Sequence, residues 1–177
     1  MTDDKHHPAY FMVFDVESIG LHGEAFAVGY VVVNRLGAKM AEGTLACDPT
    51  QARGTDEDRA WVQENIPALP PTQMQPYGVR NHFWQRWLEW REQGAVLVAD
   101  CAWPVEARFL AACVDDAKAE RNWEGPCPLH DLASVLLALG RDPLATNERL
   151  PDELPAHHPL NDARQSARLL IDALAAA

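Results

Sequence analysis

The chain has 177 residues and 47% hydrophobic content, enough for a single domain, taken as residues 1–177, with a sizeable core. Asp and Glu outnumber Lys and Arg 26 to 15, and the net charge of -11 argues against a general basic surface for long duplex DNA or an anionic membrane. A small, locally gripped substrate stays open.

No apolar run approaches a membrane span, and the stretch Met1 to His7 lacks the apolar core of a signal peptide, so a soluble, cytoplasmic protein is expected. Cys47, Cys101, Cys113 and Cys127 form no C-x-x-C pair and are expected as reduced, mostly buried thiols, not as a zinc site or disulfide frame.

Phe11-Met12-Val13-Phe14-Asp15-Val16-Glu17-Ser18 is a run of strand formers ending in two carboxylates one residue apart. Residues i and i+2 share a strand face, so Asp15 and Glu17 point one way and Phe14 and Val16 the other. Like charges this close repel, which makes sense if a cation sits between them; the bland reading is the solvated face of an edge strand. A glycine-bearing turn leads to the β-branched run 25–34, and residues 39–47 alternate weakly, so 10–48 reads as an antiparallel meander. His22, in the first turn, is expected to be exposed.

Residues 48–79 are acidic and proline-punctuated, with a short helix predicted around 59–65; this is a surface excursion over the sheet. Apolar residues at helical spacing then predict a helix over 81–91, ending near Gly94, with aromatics at 83, 87 and 90 facing the core. The unbroken apolar run 95–99 reads as a strand buried on both faces, ending at Asp100. Pro104 is predicted to open the following helix. In such strand–helix units, ligand sites lie outside the carboxyl ends of the strands. A weaker strand near 126–130 precedes a helix from Asp131 to Leu139, with Asp131 as its N-cap. After an irregular stretch over 141–156, Pro159 opens a last helix running to about Ala175, with Ala163, Ala167, Leu170 and Leu174 as its buried stripe. Asp162 lies beside that stripe, where a carboxylate wants a partner.

Asp15 and Glu17 in Phe-Asp-Val-Glu-Ser, an acid after a central strand, and His157 with Asp162 in His-His-Pro-Leu-Asn-Asp-Ala together resemble the DEDD superfamily of 3′–5′ exonucleases, histidine subclass. The likeness covers nearly the whole chain in element order, and Trp61 to Pro67 is also similar to a stretch of some small exoribonucleases of that group. It implies an α/β ribonuclease-H-like fold: a mixed sheet of three antiparallel N-terminal strands plus two further strands, with flanking helices. The sequence departs from the pattern at the second motif. Counting back from Arg108-Phe109-Leu110 puts Glu106 in place of the expected Asp, with one extra loop residue. Counting forward from Leu97-Val98-Ala99 puts Asp100 there instead. Asp100 is preferred as a short ligand at a strand end, with Glu106 read as a solvated residue on a helix surface.

The resemblance implies a two-metal hydrolase. Asp15, Glu17, Asp100 and Asp162 would hold two Mg²⁺ or Mn²⁺ ions about 4 Å apart. His157 would be the general base, with His158 its rival. Two dications cancel the four acids locally and leave about -7 over the rest of the surface. Few phosphate contacts are then expected, so the partners would be single-stranded nucleic-acid ends or short oligonucleotides, RNA slightly preferred over DNA, with no membrane and with a homodimer allowed. The alternatives are a weak or inactive nucleic-acid-binding or scaffold module of the same fold, and a metal-free acidic interaction domain in which the acids coincide by chance.

Overall fold

The computed structural model describes residues 8–176. Strands β1 (Tyr10–Ser18), β2 (Ala25–Asn34) and β3 (Lys39–Ala46) form the antiparallel meander. Strands β4 (Ala95–Ala99) and β5 (His130–Asp131) continue the sheet in parallel from the other edge of β1, giving the order β3-β2-β1-β4-β5. The helices are α1 (Asp56–Asn65), α2 (Pro76–Arg91), α3 (Ala107–Asp115), α4 (Lys118–Arg121), α5 (Leu132–Ala138) and α6 (Pro159–Ala175). This mixed α/β sheet with flanking helices is the expected architecture. Among the described residues no helix is long and apolar enough to cross a membrane.

Strand alternation divides the core in two. From β1, Met12, Phe14 and Val16 pack with Val79, Phe83, Trp84 and Trp87 of α2 and with Phe109 and Leu110 of α3. Phe11 and Val13 face the other way, onto Leu132 and Leu136 of α5 and Ala163, Ala167 and Leu170 of α6. Asp15 and Glu17 fall on this second face, one and two steps beyond its apolar part.

Several predicted boundaries move. Helix α2 starts at Pro76, five residues before the predicted onset, because a proline's missing N–H costs nothing in a first turn. Helix α1 starts at Asp56, where the Thr55 side chain accepts from the Asp58 N–H as N-cap. Pro104 does not open α3: Ala102–Glu106 make a wide turn in which Trp103 is non-helical, and regular helix begins at Ala107. Leu174 is 43% exposed, and Ala173 takes the buried place in the stripe. Cys101 and Cys127 are exposed, whereas Cys47 and Cys113 are buried as expected.

The N-terminal end of α6 lies directly on β2 at Gly29. A Cβ there would sit 2.2 Å from Leu160 N and 2.2 Å from Pro159 C, backbone atoms that have no rotamer to relax. A Gly29→Ala chain should therefore lose about 1–3 kcal/mol, as overpacked cores do. Gly43→Ala, whose Cβ would meet only the Tyr30 side chain at 2.9 Å, should lose less. Melting temperatures of the two variants against the parent check this ordering, and equal losses would contradict it.

Candidate active site

Gly29 is the cross-strand partner of Asp15, so the helix that rests on Gly29 brings its own first turn beside the β1 acids. That turn carries Asp162. Immediately ahead of α6 the chain turns at His157, whose φ of 59° lies in the left-handed region that residues with side chains seldom adopt. The turn is held from within: the His157 backbone N–H donates to Asp162 Oδ2 at 3.0 Å. Glu17, His157 and Asp162 consequently offer ligand atoms all within 4.8 Å of one another. Trp61 of α1 stands edge-on to the His157 imidazole, ring centroids 5.6 Å apart and planes at 80°. His158, by contrast, takes the N-cap position of α6. Its Nδ1 is buried without a hydrogen-bond partner, and burial pulls its pKa below the ordinary value.

Packing these acids together distorts their titration. Burial, then Glu17, Asp162, Glu106 and Asp100, push Asp15 well above the usual carboxylate range. Burial, then Asp162 and Glu106, push Glu17 up to about 8. These are crowded anions facing one another, the condition under which a bound cation is most favourable.

At the second motif one expectation is corrected. Glu106 is not on a solvated helix surface: it is 7% exposed, in the wide turn after β4. Burial raises its pKa to about 7, partly offset by backbone N–H groups of Glu106 itself and of Val16 in β1. The single extra loop residue is absorbed by the non-helical Trp103, which lets Glu106 reach β1. Asp100, at the end of β4, is exposed as a whole residue, although protein atoms surround its carboxylate. Burial of its carboxylate raises its pKa first, followed by Asp131 and Asp162, while the Ser166 hydroxyl and Arg149 lower it. Both acids act on the β1 pair: Glu106 and Asp100 each help to raise Asp15, and Glu106 also helps to raise Glu17. Asp131 does serve as the α5 N-cap, accepting from Ser134 N–H at 2.7 Å, and it also accepts from Ala102 N–H at 2.7 Å, which ties the wide turn to β5.

Sequence reasoning missed the arginines of the C-terminal half. The irregular segment before α6 is strapped to that helix. Arg164 bonds Glu42 through two nitrogens, each at 2.9 Å, and donates to Asp152 O at 2.8 Å. Arg168 grips the Glu153 carboxylate at 2.6 and 2.8 Å and donates to Glu148 O at 2.9 Å. Glu153 is 1% exposed, and its pKa is held low by Arg168. Arg149 donates to Asp162 Oδ1 at 2.5 Å and to Glu153 O at 2.9 Å. A helical i, i+4 pair of arginines at 164 and 168 was a visible signal for a tethered segment; the lone Arg149 had none.

Glu17 and Glu106 titrate near 8 and 7 when folded but near 4.5 when unfolded, so the folded chain binds more protons in between. Their contribution to the stability of the metal-free protein should be full below about pH 5 and be lost as pH rises through 7 and 8, whereas Glu153 and Glu42, held low by arginines, favour the folded state only above the acid range. Melting curves in EDTA across that range test this, and Mg²⁺ or Mn²⁺ should raise the melting temperature more at pH 8 than at pH 5. A flat profile in EDTA would mean that the acids do not confront one another.

No protein-family model and no curated protein sequence matches the chain. Solved structures do. A 3′-exonuclease described in 3′-end specific recognition of a histone mRNA stem-loop is 15% identical, with 96% of this chain and 83% of that chain covered and a TM-score of 0.56. The zinc-ion-bound E. coli ExoI–ssDNA complex is 10% identical, covering 92% of this chain and 40% of that one, TM-score 0.57. The moderately thermophilic Exonuclease I from Methylocaldum szegediense is 13% identical, covering 93% and 39%, TM-score 0.51. This chain therefore spans about two fifths of the two Exonuclease I chains. At these identities the likeness is one of fold, an α/β sheet with flanking helices.

Proposed function

We propose that the chain is a divalent-metal-dependent 3′–5′ exonuclease of the DEDD type, histidine subclass, folded as one domain over residues 1–177. Its substrates would be single-stranded nucleic-acid ends or short oligonucleotides, with RNA slightly preferred over DNA. The observation that carries this reading is the meeting of Glu17, His157 and Asp162 within 4.8 Å, beside Asp15, under the first turn of α6. The fold neighbours, one with ssDNA and one with an mRNA stem-loop, support a nucleic-acid partner.

The donor set fits divalent ions. Carboxylate oxygens are hard ligands suited to Mg²⁺ or Mn²⁺, and the acids' pKa values are raised by burial first and by one another's charge second, both of which a cation would offset. Asp15, Glu17 and Asp162 would hold two such ions, with Glu106 replacing Asp100 as the fourth carboxylate on grounds of burial. Bound there, the ions would supply Lewis-acid polarisation of the phosphate and a more acidic attacking water.

The chain's own residues do the rest. His157 is exposed at the cluster and accepts the proton of the attacking water, while its backbone N–H keeps Asp162 oriented. Trp61 limits the swing of the imidazole by its edge-on contact. With a net charge of -11 the surface disfavours long polyanions, so binding would concentrate on the few nucleotides at the site. One observation favours the second reading, a binding module without turnover: Arg149 already occupies one oxygen of Asp162.

A nuclease assay on short end-labelled RNA and DNA with Mn²⁺ separates the two. Activity should vanish in EDTA without loss of fold. His157→Ala should slow the reaction by about 10²–10⁴-fold while keeping the metal-induced rise in melting temperature. Glu106→Gln should lose turnover, whereas Asp100→Asn should keep most of it; the opposite result would return the fourth carboxylate to Asp100. No turnover in the parent chain with any divalent ion would favour the binding module.

A further inference from the structure

The arginines of the fold differ in which donors they use. Arg80 spends Nε, Nη1 and Nη2 on Asp116 and Glu24. Arg164 and Arg168 each bind a carboxylate through two nitrogens and a backbone carbonyl besides. In all three the Nε–Nη2 edge is already closed on a carboxylate, of Asp116, Glu42 and Glu153 in turn. Arg149 makes both of its contacts, to Asp162 Oδ1 and Glu153 O, through Nη1 alone. Among the described residues its Nε and Nη2 form no hydrogen bond and are not buried, and the side chain is 23% exposed.

A permanent positive charge with three unspent N–H donors thus stands inside a cluster of acids, close enough to lower the pKa of Asp100 on the far side. Tethering does not require it there, since Arg164 and Arg168 already strap residues 148–153 to α6. A planar guanidinium with Nε and one Nη free presents two parallel donors, which match two oxygens of a phosphate.

We propose that Arg149 is a substrate-contacting residue: Nη1 keeps Asp162 in place, while Nε and Nη2 bind the phosphate of the nucleotide at the acid cluster. The ligand class is a phosphodiester or a nucleoside 5′-monophosphate. This deepens the exonuclease reading and rests on it. A chain with a net charge of -11 needs a fixed cation at the point where an anionic substrate must enter, and Arg149 supplies it without adding a general basic surface. Its contact would also strengthen as negative charge builds on the phosphate oxygens.

The test measures binding as well as turnover. Calorimetric titration of adenosine 5′-monophosphate into the Mg²⁺-loaded protein should give affinity that falls at least tenfold in Arg149→Gln. It should fall by less in Arg149→Lys, which keeps the charge and loses the fork. Mg²⁺ affinity measured alone should be unchanged or tighter in Arg149→Gln, which removes a competing cation from Asp162, and unchanged in Arg149→Lys. Parent-like nucleotide affinity in Arg149→Gln would overturn the inference and leave Arg149 a tether for Asp162. So would joint loss of Mg²⁺ binding and of melting temperature in both variants, since that is the pattern of a structural role. A parent protein that binds Mg²⁺ but no nucleotide would overturn the Arg149 assignment, whereas one that binds neither would remove the exonuclease reading itself.

Discussion

The absence of a side chain at Gly29 is the constraint on which the rest depends. Strand β2 is buried along nearly its whole length, and Val28 and Tyr30 on either side of Gly29 are large. Only where the Cβ is missing can the backbone of Pro159 and Leu160 settle on the strand. That contact fixes the height of α6 above the sheet, and with it the distance from Asp162 to the acid beside Gly29 across the ladder, Asp15. A helix standing higher would still bury Ala163, Ala167 and Leu170 in part, but it would withdraw the carboxylate that α6 supplies.

Bringing acids together has a cost that the surrounding structure has to bear. Asp15, Glu17 and Glu106 are all pushed toward their protonated forms by burial and by one another. The fold opposes this with rigidity. β1 is central in the sheet, the Ala102–Glu106 turn is tied to Asp131, and the His157 turn is closed by its own bond to Asp162. The segment leading to His157 has little regular structure, yet Arg164 and Arg168 hold it against α6 through carboxylates and carbonyls. A fully buried Glu153 would be costly without Arg168; paired and bonded through both oxygens, it is an anchor.

Some of this was legible in the residues. Period-two alternation in β1 is a local property, so Asp15 and Glu17 share a face whatever packs above them. The apolar stripe of α6, the proline at its first turn and the unbroken run of β4 follow equally from spacing, whereas their assembly into one mixed sheet was an expectation from the resemblance. The lone glycine at 29 among β-branched residues was a readable sign of close approach, although not of what approaches.

Which side chains meet was decided elsewhere. Glu106 and Asp100 are both compatible with the sequence, because a loop with one extra residue can be counted from either end. Only the path of the chain through Trp103 buries Glu106 against β1 and leaves Asp100 beside Asp131. His157 and His158 are neighbours with the same chemistry, and it takes the left-handed turn at residue 157 to bring one imidazole to Glu17 and Asp162 while Nδ1 of the other is buried. Arg149, thirteen residues before Asp162, carries no periodic or motif signal at all. Its place follows from the strap that folds residues 147–158 back onto α6, a set of long-range polar contacts. Local pattern determines elements and faces; the convergence of charges depends on distances between elements, which only tertiary packing sets.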